Sequence, residues 1–207
     1  MTAAVVVAHP DDETLWAGGT ILSRPDGQWF IVTLCRANDP DRAPRFFRAL
    51  ERLGATGRMA DLDDGPAQTP LQQQQVEQTV LTLLDGKRFD VLLTHGLHGE
   101  YTRHLRHEEV STAVAALWQA GRVRAQSLQM FAYEDGGTCY LPRAAENAHV
   151  RTVLPDDLWH RKYRIITEVY GFAPESFEAQ TTPREEAFWR FDSPLALRTW
   201  INNERGR

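Results

Sequence analysis

Ala3-Ala4-Val5-Val6-Val7-Ala8-His9-Pro10-Asp11-Asp12-Glu13 opens the chain, and its reading decides the fold. Residues 3–8 are short, apolar and β-branched, which predicts a strand buried on both faces. The apolar residues of 14–22 recur at helical spacing, so one imidazole and three carboxylates stand in the turn between a buried strand and a helix. In an open α/β sheet, ligands collect outside the carboxyl ends of the strands. Adjacent carboxylates there need their repulsion offset, and a divalent cation is the simplest offset. The alternative is a polar turn whose acids cap the helix and face its dipole.

The same alternation continues outward. Residues 29–35 read as a second buried strand, followed by a polar loop over 36–45 and a helix over 44–53 that stops at Gly54. A short strand is expected over 58–62. A long helix is expected to start with Thr69 as its cap and Pro70, and to run to Leu84. Residues 89–94 form the next strand. Repeated strand–helix units with short connections predict a Rossmann-like, three-layer α/β sandwich, its mostly parallel sheet covered by helices on both faces. Gly18-Gly19 is no dinucleotide fingerprint, because the Gly-x-Gly-x-x-Gly pattern is absent and acids there would repel a pyrophosphate.

At 207 residues the chain fits one domain over 1–207, with the region after about 135 as an extension of the same domain. A net charge of −5 argues against a nucleic-acid partner. No apolar run approaches the roughly 18 residues of a membrane span, and no basic leader precedes the first strand. A cytoplasmic protein is the expectation, and a homo-oligomer is compatible with it. Cys35 and Cys139 cannot build a disulfide scaffold, and Cys35, inside an apolar strand, reads as an inert core thiol.

The second chemical stretch is His95-Gly96-Leu97-His98-Gly99-Glu100-Tyr101-Thr102-Arg103-His104-Leu105-Arg106-His107, which holds four of the chain's seven histidines. It too follows a buried strand, and a helix carrying Val110, Ala113, Val114, Leu117 and Trp118 follows it. Both loops therefore lie at one edge of the sheet. One imidazole from here, with His9 and a carboxylate, gives the three-ligand, open-position arrangement of a catalytic zinc. Such a site keeps a net charge near +1, suited to acidifying water. His95 and His98 read as surface groups or as supports behind the ligands.

Ala8-His9-Pro10-Asp11-Asp12-Glu13 followed by Gly18-Gly19-Thr20-Ile21 resembles the first signature of the LmbE/PIG-L superfamily of metal-dependent N-deacetylases. Thr94-His95-Gly96, Gly99-Glu100-Tyr101 and His104-x-x-His107 resemble the second, and the Leu53-Gly54 helix end and the Asp64 region fit more weakly. The resemblance runs from residue 3 to about 120. It implies Zn²⁺, with Fe²⁺ as the alternative, held by His9, Asp12 and His107. It implies Asp11 as general base, and a protonated His104 that stabilises the oxyanion and protonates the leaving amine. The implied substrate is a small N-acetylated molecule, an amino sugar or its conjugate. Two departures stand out: one residue more between Tyr101 and His104 than is usual in the family, and Arg106 in place of a small or acidic residue. Candidate substrate contacts are Arg36, Tyr101 and Glu13, the last also expected to orient ligands or cap the helix. A metal-holding sugar-recognition relative, and a metallohydrolase of another amide or an ester, are the competing readings.

The rest is less informative. Residues 127–133 read as a strand leading to a polar loop, Glu134-Asp135-Gly136-Gly137, that borders the substrate. A helix is expected over 156–170, an edge strand over 187–191 and a last helix over 194–202.

Overall fold

The computed structural model describes residues 1–101 and 104–204; Thr102 and Arg103 of the second motif lie outside the described residues. Strand β1 (Thr2–Val7) lies inside a seven-stranded sheet and leads into α1 (Asp12–Leu22). Then come β2 (Gln28–Cys35), α2 (Arg42–Leu53), β3 (Ala55–Leu62), α3 (Gln73–Leu84), β4 (Arg88–Thr94), α4 (Leu105–Gln119) and β5 (Arg124–Phe131). A short hairpin, β6 (Tyr133–Glu134) and β7 (Arg143–Ala144), precedes β8 (Val150–Val153) and α5 (Asp156–Arg164). A π-helical turn, Ile165–Val169, continues α5, and α6 (Phe177–Thr181), β9 (Glu185–Phe191) and α7 (Pro194–Glu204) follow.

The sheet order is β3-β2-β1-β4-β5-β9-β8. The first five strands are parallel; β9 runs antiparallel to β5, and β8 antiparallel to β9. Residues after 135 thus add two strands to the same sheet. Residues 187–191 were expected at its edge, but β8 pairs with their outer side, through Val150↔Phe188 for example, and takes the edge itself.

Period-two alternation divides β1 between two cores. Ala3, Val5 and Val7 pack under α1, α2 and the π turn, whereas Ala4, Val6 and Ala8 pack under α3, α4 and α7. Burial on both faces explains the unbroken apolar run. Helix α3 begins at Gln73, later than Thr69-Pro70 suggested, because α4 captures the preceding segment. Arg106 donates to Thr69 O at 2.8 Å, and Leu71 N donates to Glu109 at 2.7 Å. Helix α4 in turn starts five residues before Val110, which puts His107 in its first turn. Among the described residues, no helix is long and apolar enough to cross a membrane.

The chain leaves β1 for β2 and β3 on one side, then crosses to β4 on the other. The strand order reverses between β1 and β4, and the crevice at such a switch point is the ligand position of doubly wound sheets. Both chemical motifs leave strands at this point.

Candidate metal centre and active site

The β1–α1 turn is held from several sides. Ala8 N donates to His95 Nε2 at 2.9 Å, stitching the first motif to the second. His9 N donates to Asp12 Oδ2 at 2.8 Å. Asp11, the residue before α1, adopts a left-handed φ of 114°, while its carbonyl accepts from Leu15 N at 2.8 Å to start the helix. Its N–H donates to Glu13 Oε2 at 3.1 Å, and Tyr170 Oη donates to Glu13 Oε1 at 2.7 Å. Glu13 is fully buried in these contacts and offers no surface to a substrate, which corrects its place among the substrate contacts. Its carboxylate orients the turn.

Three donor atoms converge. His9 Nδ1 lies 3.2 Å from Asp12 Oδ2, His107 Nε2 lies 3.4 Å from the same oxygen, and the two nitrogens are 3.3 Å apart. A tetrahedral zinc with bonds of about 2.0–2.1 Å has ligand–ligand edges of about 3.3–3.4 Å. The triangle therefore has the dimensions of one face of that tetrahedron. His104, with His9 and His107, forms a looser grouping within 4.8 Å. Asp12, His95 and His107 form another, but His95 already uses both nitrogens, on Ala8 N and on Glu100.

Around the triangle, the other side-chain atoms of His107 and Asp12 are engaged. His107 Nδ1 meets Glu100 Oε2 at 2.6 Å, and His95 Nδ1 meets the same oxygen at 3.0 Å. A carboxylate behind an imidazole fixes its tautomer and frees Nε2 for a metal. Trp16 Nε1 donates to Asp12 Oδ1 at 3.3 Å. His9 Nε2 stands 3.2 Å from Asp64 Oδ1, off line for a hydrogen bond but at ion-pair distance, and Arg36 holds Asp64 at 2.6 Å.

The proton affinities follow from this crowding. Burial opposes charge on His107, yet Asp12 and Glu100 outweigh it and push the imidazole up to about 10. Burial likewise opposes the Glu100 carboxylate, but His95 and His107 bring it down to about 2. The cluster thus prefers a positive charge where the triangle closes. Asp11 is raised well above the ordinary range by burial and by Asp12, with Arg42 opposing from 3.1 Å. Without a cation, burial and the charges on His107 and His9 push His104 down to about 3. Arg106 points away, to Asp63 O, Glu109 and Thr69 O. Cys35, buried and raised to about 12, is inert.

His9, Asp11, Asp12, Arg36, Tyr101 and His104 line one cavity of about 250 Å³, together with Arg42, Asp64, Phe177 and others. The Glu134–Gly137 loop instead borders a larger cavity of about 990 Å³ on the far side of the second motif, which shares Tyr101 with the first. The larger space does not contain the His/Asp triangle, so the chemistry belongs to the smaller. His98 is exposed and lines the larger cavity. Sequence reasoning gave no role to Glu100, Asp64, Arg42's contact with Asp11, or Tyr170.

A His/Asp cluster at the switch point of an α/β sheet is a candidate metal centre, and it lacks the Gly-rich cradle of a dinucleotide binder. The sequence profile of the PIG-L family, described as GlcNAc-PI de-N-acetylase, matches residues 4–118, and the chain belongs to this family, a class of metal-dependent N-deacetylases. No curated protein matches the chain significantly. The fold is similar to that of N,N'-diacetylchitobiose deacetylase from Pyrococcus horikoshii, with 14% identity, a TM-score of 0.70, and coverage of 94% of this chain and 84% of that one. It also resembles the zinc-inhibited form of the teicoplanin deacetylase Orf2 (11% identity, TM-score 0.67, 92% and 97% covered). A third likeness is to GalB, the 4-carboxy-2-hydroxymuconate hydratase from Pseudomonas putida KT2440 (18% identity, TM-score 0.62, 88% and 83% covered).

Proposed function

We propose that this chain hydrolyses the acetamide of a small N-acetylated molecule, an amino sugar or its conjugate, with a divalent cation held by His9, Asp12 and His107. The observation that carries this reading is the triangle of 3.2, 3.3 and 3.4 Å, which fits zinc. Ferrous iron is served by the same donors. When bound, the cation supplies Lewis acidity, which acidifies water and polarises an amide carbonyl. Asp11 is the general base: burial and Asp12 raise its proton affinity, and Arg42 holds its carboxylate in the cavity. His104 donates a ring N–H to the carbonyl oxygen as that oxygen gains charge. The proton taken by Asp11 passes to the departing nitrogen. Arg36 and Tyr101 border the cavity as substrate contacts.

The test is elemental analysis together with acetate release from a panel of N-acetylated sugars. About one equivalent of metal is expected, with acetate release abolished by a chelator and restored by Zn²⁺. A hydratase shares this fold, so the assay must read acetate itself. Metal without acetate from any N-acetylated sugar returns the chain to a sugar-recognition relative or to a hydrolase of another bond.

A further inference from the structure

Helices α2 and α5 face each other across a groove of about 570 Å³ that shares no lining residue with the His/Asp cavity. Arg48 and Arg52 reach it from α2, and Arg161 and Arg164 from α5. All four are exposed, and among the described residues none closes an ion pair or a side-chain hydrogen bond, although Glu51 and Glu168 line the same groove. Several arginines elsewhere find carboxylates, such as Arg36–Asp64 at 2.6 Å, Arg106–Glu109 at 2.6 Å, Arg151–Glu185 at 2.9 Å and Arg184–Asp156 at 2.6 Å. Arg88 and Arg124, unpaired among the described residues, stand apart from the groove, whereas Arg48, Arg52, Arg161 and Arg164 share one concavity. In a chain of net charge −5, four free guanidiniums around one concavity run against the average field.

We propose that this groove binds a small phosphate ester of sugar-phosphate or nucleotide size. Guanidinium forks match phosphate oxygens in pairs, and guanidinium sheds water more readily than ammonium does. Glu51 and Glu168 can accept from the hydroxyls such an ester carries. Leu22, Ile165 and Val169 give a ring face something apolar to rest on. The volume lies within the roughly 300–1,000 Å³ of small-molecule sites. A nucleic-acid backbone would call for a longer stripe of positive charge than one pocket between two helices. This site stands apart from the reaction at the His/Asp cluster, and neither claim needs the other.

Isothermal titration calorimetry and thermal melting of the full chain test it, with AMP and glucose 6-phosphate as probes against adenosine and glucose at fixed ionic strength. The phosphorylated probes are expected to bind saturably and to raise Tm by about 2–4 °C at saturation, and the unphosphorylated ones to do neither. Arg52→Glu and Arg161→Glu should each weaken binding about tenfold or more while leaving the unliganded Tm unchanged, because neither arginine holds a partner. Should charge reversal lower that Tm, Arg52→Gln and Arg161→Gln carry the comparison. The proposal fails if neither phosphorylated probe binds. It fails equally if affinity is the same in both variants, which would move the anion to Arg36 and Arg42, or if only an oligonucleotide is retained.

Discussion

Asp11 adopts a φ of 114° that L-residues rarely hold, at a cost of about 1–3 kcal/mol. The strain is offset locally, by Glu13 accepting its N–H and by the first turn of α1 using its carbonyl, and the side chain is left free for the cavity. If Asp11 is the base, Asp11→Asn should keep the metal and lose about 10²–10⁴-fold in kcat, whereas Asp12→Ala and His107→Ala should lose the metal itself. Elemental analysis beside acetate release separates the two outcomes, and near-normal turnover by Asp11→Asn would remove the base assignment. Arg42 gives a second check. Its charge opposes the raised proton affinity of Asp11, so Arg42→Ala should move the acidic limb of kcat/KM to higher pH; a limb that stays put breaks the link. His9, Asp12 and His107 stood out because their residue types crowd into two short stretches after strands, and the fold brings their atoms within 3.4 Å of one another. Asp64 and Tyr170 were not: their contacts depend on how distant segments return, Tyr170 reaching Glu13 from 157 residues away. Glu100 sat within the motif, but its place behind His107 is set by side-chain direction, which spacing does not give.

Elements were legible in order and blurred at their ends. Buried parallel strands announce themselves through apolar runs, whereas the start of α3 is set by Arg106 and Glu109 of another helix. Gly18-Gly19 shows why a motif can be seen without its reason. A Cβ on Gly19 would collide with Leu154 Cδ2, and one on Gly18 would stand 3.2 Å from Lys162 Cγ. The pair lets β8's end and α5 close on α1. Lys162 then crosses α1 to meet Glu186 at 2.8 Å with both side chains fully buried, and Glu186 also accepts from Gly19 N and Thr20 N at 2.7 and 2.6 Å. Removing one partner of a buried pair strands the other's charge. Lys162→Met should therefore cost about 3–5 kcal/mol in denaturant unfolding, and adding Glu186→Gln should recover part of it by removing the stranded charge while keeping an acceptor for the α1 amides. No recovery in the double variant would mean that the Lys162 stem, packed against Gly18, matters more than the charge.

At the scale of the whole molecule, the switch point brings two motifs almost a hundred residues apart onto one spot, and the same spot is where protons and a cation compete. His107 has a folded proton affinity raised to about 10 from 6.5, so its contribution to metal-free stability is complete below about 6.5 and is lost as pH rises through 10. A cation at the triangle needs that proton gone, and it takes over the attraction of Asp12 and Glu100 for positive charge. Between about pH 6.5 and 10, apparent metal affinity should therefore tighten about tenfold, or about 1.4 kcal/mol, for each pH unit. Calorimetric melting at pH 6.5, 7.5 and 8.5, with and without a fixed free Zn²⁺ concentration, reads this directly: metal-free Tm should sag with pH through the loss of the His107 contribution, and the gap opened by metal should widen. Glu100→Gln, which takes one of the two carboxylates from His107, should lower that proton affinity and flatten the widening while leaving the three converging atoms in place. A gap that is wide at pH 6.5 and no wider at 8.5 would mean that the cation sits somewhere His107 does not govern, and the triangle would lose its claim to the metal.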